Sequence, residues 1–317
     1  MPAQTVYIAL CIALDLYQLD SDEKTQMNQY IFIKNLHDDP SHYTSAQKHN
    51  VWHEDGMAGK NLSKMGAAKV LLIVDHHGNQ VIEKYPVSEV EYGFYEHAAE
   101  PLSGVVESPR LFNADPHRRS LTLEYVPHKI SQDEVAGNDI LKRLSRLHDY
   151  PADPAWIYHT HTWSESALEK SLSLLELPVR AERQMRCFQQ GSSVLFSQEC
   201  LISGDTNAGN WGRRENGDTI LFDWERFGTG SPAIDLAPLV KGMGSKQSLL
   251  QLAERYRVFA THSVAGRLAR EIALAKAWIV TEVVLLLHER KKSDYKLYLS
   301  WYREHLPGWL DESISLL

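Results

Sequence analysis

Two aspartates and an asparagine lie close together in the second half of the 317-residue chain, on either side of a short predicted hairpin. Asp205 lies in the loop SGDTNAGN, Asn210 follows within that loop, and Asp223 ends the segment TILFD. The intervening residues 211 to 222 contain the dipeptide Asn-Gly, which is typical of two-residue hairpin turns. Because a hairpin brings its two ends together and neighbouring strands lie about 4.8 Å apart, we expect the three side chains to lie within several ångströms of one another.

These three side chains offer hard oxygen atoms as ligands. Oxygen ligands without Cys or His suit Mg²⁺, which proteins usually hold through one or two side chains together with phosphates. An aspartate left over from such a set can accept a proton. The set therefore predicts phosphoryl transfer, in which one carboxylate orients a hydroxyl nucleophile while an Asn and an Asp hold a cation. Either aspartate alone would be typical of a solvated turn, and it is the spacing of all three that favours a site.

The surrounding segment from Cys200 to Val240 carries further motifs. In chain order it contains Gly204-Asp205, Asn210, Asp223-Trp224-Glu225 and Asp235-Leu236-Ala237. This arrangement resembles the signature of the aminoglycoside phosphotransferase and choline kinase family, which has a protein-kinase-like fold. The resemblance implies that Asp205 is the catalytic base, that Asn210 and Asp223 are the magnesium ligands, and that Asp235 braces the loop. The chain departs from the family pattern at Ser203, where the family usually has a histidine.

A β-rich segment precedes these motifs. Three runs of strand-forming residues predict strands: Lys69 to Asp75, Gln80 to Tyr85 and Leu121 to Val126. Turn residues join the first two runs, which indicates a hairpin. Ser88, followed three residues later by Glu91, is a capping-box pattern and predicts a helix that continues through Ala99.

By the same resemblance, this β-rich segment binds the nucleotide, which we expect to be ATP. Lys84 would contact the α- and β-phosphates and Glu91 would pair with it, although Glu89 is an alternative partner. Glu124 to Val126 would form the hinge strand beside adenine. Gly66 would lie in the loop that covers the phosphates, where the backbone must approach the nucleotide closely.

The rest of the chain is predicted to be mainly helical. Apolar periodicity predicts helices over Ile140 to His148, Ser164 to Leu175, Arg180 to Gln190, Lys246 to Phe259, Val264 to Glu289 and Ser293 to Glu304. The hairpin from Trp211 to Phe222 is the single β interruption that we expect there. We therefore predict an α+β, protein-kinase-like, two-lobed fold. Residues 1–57 would form an N-terminal extension, 58–126 a small β-rich lobe and 127–317 a larger helical lobe.

Composition limits the function classes. The excess of 41 Asp and Glu over 33 Lys and Arg gives a net charge of −8, which disfavours nucleic-acid binding. The three cysteines include no CxxC pair, so neither a disulfide framework nor a cysteine zinc site is indicated, and a reducing cytoplasm fits. The apolar run from Val6 to Leu14 has no basic residue before it and ends at Asp15. We expect a cytoplasmic protein without a signal peptide or a membrane-spanning helix.

The sequence thus predicts an ATP- and Mg²⁺-dependent small-molecule kinase. It would transfer the γ-phosphoryl group to a hydroxyl of an aminoglycoside-, amino-sugar- or choline-like acceptor. Two alternatives keep the fold: a catalytically weak pseudokinase or binding module, and a kinase that acts on protein Ser or Thr. A distant third is a metal-dependent hydrolase using His159 and His161, because two histidines separated by one residue can share a metal. The sequence does not define the acceptor or the oligomeric state.

Overall fold

A computed structural model describes residues 50–52, 58–62, 68–260, 264–291 and 295–317. Most of the predicted extension over residues 1–57 lies outside these ranges, and so does Gly66. Within the extension, Asn50–Trp52 forms a strand that pairs with the strand Ala58–Asn61. The division of the chain at residue 57 stays a prediction.

A six-stranded sheet forms the first half of the described chain, with the order β1-β2-β3-β4-β6-β5. The strands are β1 (Asn50–Trp52), β2 (Ala58–Asn61), β3 (Lys69–Val74), β4 (Gln80–Tyr85), β5 (Leu111–Asp115) and β6 (Ser120–Glu124). The predicted hairpin is confirmed as β3 and β4, in which Val70 lies opposite Lys84. On its other side β4 pairs with β6, where Lys84 lies opposite Leu121. Lys84 therefore projects from a central strand of the sheet.

The predicted helix after β4 is present, but it changes its winding. Helix α1 (Glu89–Gly93) begins at Ser88, whose hydroxyl accepts a hydrogen bond from the Glu91 amide at 3.0 Å. The chain then continues as one π-helical turn over Phe94–Ala98. The Phe94 ring stacks on Trp224 with centroids 4.0 Å apart, so the helix is packed against the residue that follows Asp223.

Helices dominate the second half of the chain. They are α2 (Gln132–Val135), α3 (Asn138–His148), α4 (Glu165–Leu175), α5 (Val179–Gly191), α6 (Ser193–Phe196), α7 (Ala233–Leu236), α8 (Lys246–Arg257), α9 (Ala265–Glu289) and α10 (Tyr295–Ser313). The six predicted helices are confirmed within a few residues, except that the last extends beyond Glu304. It continues past Pro307 to Ser313 because Trp309 and Leu310 are buried and anchor its final turns.

Short strands interrupt the helices at two places, although only one was predicted. Strands β9 (Trp211–Arg213) and β10 (Thr219–Leu221) form the predicted hairpin, and β9 also pairs with β7 (His128–Lys129). A second pair, β8 (Cys200–Ile202) and β11 (Gly228–Gly230), was missed. Each strand has only three residues, too few to show a β pattern in a sequence, and β11 (Gly-Thr-Gly) also consists mostly of glycine, which is depleted in strands. In this antiparallel pair Ile202 lies opposite Gly228, so the loop after β8 and the segment before β11 leave the sheet at the same end.

The core of the second half is organised around α9. This helix is buried over most of its surface and packs against α4, α5, α7, α8 and α10. Its Lys276 is buried, and its ammonium donates hydrogen bonds to the carbonyls of Val240 and Gly242. Among the helices that the structure describes, none has both the length and the apolar character needed to cross a membrane.

Candidate active site

Lys84 stands at the centre of a buried cluster of charges. Its Nζ lies 2.7 Å from Glu91 Oε1 and 2.7 Å from Asp223 Oδ1, and all three side chains are buried. Burial raises the pKa of the Glu91 carboxyl. Of the two candidate partners for Lys84, the structure brings Glu91 to it, whereas Glu89 is exposed. Removing one member of such a cluster leaves a buried charge without its partner, which typically costs about 3–5 kcal/mol.

Asp223 reaches Lys84 through an unusual backbone conformation. It follows β10, and its φ of +61° places it in the left-handed region, which Asp and Asn enter more readily than most residues. The amide of Phe222 donates to the carbonyl of Asn210 at 2.8 Å, which fixes the end of the hairpin against the other predicted metal ligand. Asp223 Oδ1 accepts from Lys84, while Oδ2 is buried without a hydrogen-bond partner among the described residues.

The loop after β8 orients Asp205 and Asn210. Asn207 Nδ2 donates to Asp205 Oδ1 at 2.8 Å, and Asn210 Nδ2 donates to the Asp205 carbonyl at 3.0 Å. Within the described part of the chain, Asp205 Oδ2 and Asn210 Oδ1 are buried and have no partner. Burial raises the pKa of Asp205 to about 7; the Asn207 hydrogen bond opposes this rise, and the negative charge of Asp223 adds to it. Asn210 thus binds the Asp205 carbonyl through its side chain and the Phe222 amide, next to Asp223, through its own carbonyl, so hydrogen bonds connect the loop to the end of the hairpin.

Asp235 holds this loop through hydrogen bonds to its backbone. Its carboxylate accepts hydrogen bonds from the amides of Ser203 and Gly204, both at 2.8 Å. His148 Nε2 lies 3.2 Å from the same carboxylate, and its Nδ1 lies 2.6 Å from the Tyr256 hydroxyl. Because a carboxylate only accepts, Nε2 donates to Asp235 and Nδ1 accepts from Tyr256. The geometry is that of the brace implied by the resemblance, with His148 as a supporting residue.

Gly204 has two separate reasons to be glycine. Its φ is +79°, and a Cβ built there would lie 2.4 Å from the Arg226 carbonyl oxygen and 2.9 Å from His161 Cε1. Gly78 has a similar φ of +85° with nothing within 4 Å of the added carbon. A comparison of Gly204 with Gly78 therefore separates the effect of backbone strain from the effect of steric overlap.

Replacing Gly204 with alanine is expected to destabilise the protein more than replacing Gly78. The Gly78→Ala change adds the left-handed strain alone, about 1–2 kcal/mol. The Gly204→Ala change adds the same strain plus an overpacking term of about 1–3 kcal/mol, and it shifts the backbone next to Asp205. Urea unfolding of both variants measures the difference, and equal free energies of unfolding would contradict it.

The predicted hinge residues, Glu124 to Val126, contact other parts of the protein. Both carboxylate oxygens of Glu124 bind Arg214 of the β9–β10 hairpin, at 2.8 Å from Nε and 2.7 Å from Nη2. A Cβ built at Gly212 would lie 3.0 Å from Val126 Cγ1 and 2.6 Å from the Phe222 ring, so these residues are closely packed. The Glu124 side chain thus joins the end of β6 to the β9–β10 hairpin. The adenine contacts of Glu124 to Val126 stay a prediction.

Sequence reasoning assigned no role to several buried charged groups beside the site. Glu225 Oε1 is buried without a partner in the described ranges, and burial raises the pKa of this carboxyl to about 8. Arg226 is buried and pairs with Glu282 of α9 at 3.3 Å. The Asp-Trp-Glu motif was the available signal for Glu225, whereas nothing in the sequence marked Arg214 or Arg226.

The two histidines of the hydrolase alternative do not form a metal site. His161 is buried, and its Nε2 donates to the Arg226 carbonyl at 3.0 Å. The ring of His159 packs edge-on against that of His161. Throughout the described ranges there is no group of three or more His, Cys, Asp or Glu side chains arranged to hold a metal ion. A magnesium site that uses Asn210, one aspartate and phosphate oxygens needs no such group.

Comparisons with known proteins were made for both sequence and fold. The sequence model of the phosphotransferase enzyme family matches residues 84–270. A choline/ethanolamine kinase family protein from Mesorhizobium loti has a TM-score of 0.58 at 14% identity, covering 81% of this chain and 91% of its own. A macrolide 2'-phosphotransferase type I has a TM-score of 0.57 at 15% identity, covering 89% of this chain and 97% of its own.

A third structure was solved with a nucleotide. It is the GDP complex of a variant of an aminoglycoside 2'-phosphotransferase, with a TM-score of 0.58 at 12% identity, and it covers 91% of this chain and 97% of its own. A search of curated protein sequences gives no match. At these identities the structural likeness shows the fold, and the predicted α+β, protein-kinase-like fold is confirmed.

Proposed function

The chain belongs to the phosphotransferase enzyme family, and we propose that it transfers the γ-phosphoryl group of ATP to a hydroxyl group of a small molecule. The observation that carries this proposal is a set of buried oxygens that have no partner among the described residues, on side chains that lie on one loop and at the end of the hairpin bound to it. They are Oδ2 of Asp205, Oδ1 of Asn210 and Oδ2 of Asp223. Buried polar atoms are rarely left without a hydrogen bond, so three together point to a missing ligand.

These oxygens fit Mg²⁺. Asn210 and Asp223 would hold the cation, since the other polar atom of each side chain is already engaged within the protein and the remaining oxygen is free. Two protein ligands with phosphate oxygens are the usual arrangement for Mg²⁺. When bound, the cation would neutralise negative charge on the phosphates.

Lys84 would bind the α- and β-phosphates of the nucleotide. Glu91 holds its ammonium in place through the contact at 2.7 Å, and Ser88 caps the helix that carries Glu91. Because the ammonium is buried and already oriented, little reorganisation accompanies binding. This arrangement supports a nucleotide site between the sheet and the helical half of the chain.

Asp205 would act as the general base. The acceptor oxygen attacks the γ-phosphorus, the bond from that phosphorus to the β–γ bridging oxygen breaks, and ADP leaves with the electron pair. The hydroxyl proton passes to Asp205 Oδ2, whose partner oxygen is held by Asn207. A base works best when its pKa lies near the working pH, and burial brings the pKa of Asp205 to about 7.

The acceptor is proposed to be a small alcohol of the aminoglycoside, amino-sugar or choline type. Structural neighbours named for choline and ethanolamine, for a macrolide and for an aminoglycoside support this class.

Thermal unfolding with nucleotide and metal tests the proposal. ATP with Mg²⁺ at about 100 times its Kd should stabilise the fold by about 2.7 kcal/mol, which corresponds to a rise in Tm of several degrees. ATP with EDTA should give a smaller shift, and GTP with Mg²⁺ compares the two purine nucleotides. A magnesium-dependent shift would be followed by a screen of hydroxyl acceptors for ADP release. No shift with either nucleotide would contradict the proposal and favour the pseudokinase alternative.

A further inference from the structure

The ring of His161 lies between the two segments that carry the proposed catalytic groups. A Cβ added to Gly204, the neighbour of Asp205, would lie 2.9 Å from His161 Cε1. A Cβ added to Gly228 would lie 3.2 Å from His161 Nε2. The imidazole therefore fills a space that two glycines leave open, one on the loop after β8 and one at the start of β11.

Hydrogen bonds close a ring of contacts around this imidazole. His161 Nε2 lies 3.0 Å from the Arg226 carbonyl, which can only accept, so Nε2 carries the proton. Arg226 Nε in turn donates to the Gly204 carbonyl at 3.3 Å. Burial lowers the pKa of His161 well below its usual value, and the charge of Arg226 adds to this, so the imidazole is neutral at physiological pH. The Arg226 side chain thereby links the segment after Asp223 to the loop of Asp205, while His161 binds the backbone of Arg226 and packs beside Gly204.

The contacts are anchored to the buried helix α9. The Arg226 guanidinium pairs with Glu282 and lies over the Trp278 ring, 5.4 Å from its centroid. The His161 ring meets the same Trp278 edge-to-face, with centroids 5.7 Å apart. Because α9 is central to the packing of the second half, it gives His161 a rigid support.

Ser203 does not form a comparable link through its side chain. It precedes Gly204 in the loop, it is fully buried, and its hydroxyl has no hydrogen-bond partner among the described residues. Its backbone amide donates a hydrogen bond to Asp235, which holds the loop through the main chain.

We propose that His161 is a positioning residue for phosphoryl transfer, because its imidazole fixes the loop of Asp205 against the segment that begins at Asp223. This inference rests on the proposed function. A displacement of about 1 Å between a base and its reactants costs up to about 100-fold in rate. Loss of the link should therefore affect turnover more than nucleotide affinity.

Two substitutions separate this role from simple packing. His161→Leu fills a similar volume but has no donor, whereas His161→Gln retains an amide N–H that can reach the Arg226 carbonyl. His161→Leu is expected to lower kcat for magnesium-dependent ATP turnover, followed as ADP release, by about 10-fold or more. The KM for ATP should change less than about 3-fold, and His161→Gln should recover most of the rate. His117→Leu makes the same change at an exposed position in the turn between β5 and β6, and it should behave like the parent.

Hydrogen–deuterium exchange supplies a measurement that does not need turnover. In the full-length protein, His161→Leu should speed exchange in peptides covering residues 200–210 and 223–230, and His161→Gln and His117→Leu should not. Parental exchange in both peptides of His161→Leu, or parental kcat in that variant, would overturn the inference while leaving the proposed function standing. A parent protein that neither binds ATP nor releases ADP would overturn the proposed function, and this inference with it.

Discussion

Replacing Asp205 with asparagine is expected to lower kcat by about 10²- to 10⁴-fold, the usual contribution of a general base. Asparagine has the same shape, and its oxygen can still accept the hydrogen bond from Asn207 that orients this side chain. It has no basic oxygen to take the acceptor proton. Because Lys84, Asn210 and Asp223 stay in place, the Kd for ATP with Mg²⁺ should stay within a few-fold of the parental value.

Asp133→Asn is a suitable control for this change. Asp133 is exposed on the short helix α2, so the same chemical change should leave turnover and binding at parental values. Turnover is measured as ADP release and affinity by calorimetric titration. If Asp205→Asn keeps a rate within a few-fold of the parent, Asp205 is not the base.

Replacing Asp223 with asparagine is expected to remove the magnesium dependence of nucleotide binding. The φ of +61° makes asparagine a better substitute than alanine, since asparagine also tolerates the left-handed region. Its oxygen can accept from Lys84 in place of Oδ1, which leaves an NH₂ group where the free Oδ2 stands. An amide NH₂ donates and repels a cation, so the metal would lose one of its two protein ligands.

The measurement is the rise in Tm with ATP at a series of Mg²⁺ concentrations. The parent and Asp133→Asn should give a rise that depends on Mg²⁺, and Asp223→Asn a small rise that does not. ADP release by Asp223→Asn should fall to background. A parental response to Mg²⁺ in Asp223→Asn would show that another group holds the metal.

The local part of the candidate site was readable from the sequence. Asp205, Asn210 and Asp223 are separated only by one hairpin, and the Asn-Gly turn signals that hairpin without reference to the rest of the fold. The helices were readable for a similar reason, because the periodicity that predicts them is itself local. The contact between Lys84 and Glu91 was reached only through the family resemblance, because no local rule pairs a strand residue with a helix residue across a turn.

The parts that were missed depend on tertiary contacts. Strands β8 and β11 have three residues each and are too short to show a pattern, yet their pairing sets the loop of Asp205 beside the segment of Asp223. Arg226 looks like a surface residue in the sequence, and only the fold shows that Glu282 and Trp278 enclose it. The His159 and His161 pair suggested a metal, whereas the structure engages His161 with a backbone carbonyl.

Contacts within the protein itself hold Lys84, Glu91 and Asp223 in one cluster. The entropy lost in ordering these long side chains is therefore part of the free energy of folding. The cost of removing their charges from water is part of it as well. The helix that carries Glu91 is already held by Trp224, so its docking requires no separate activation step. Under the proposed function, a cluster held in this way would need no ordering of its own before each turnover, and the output would follow the abundance of the protein and the supply of nucleotide and acceptor.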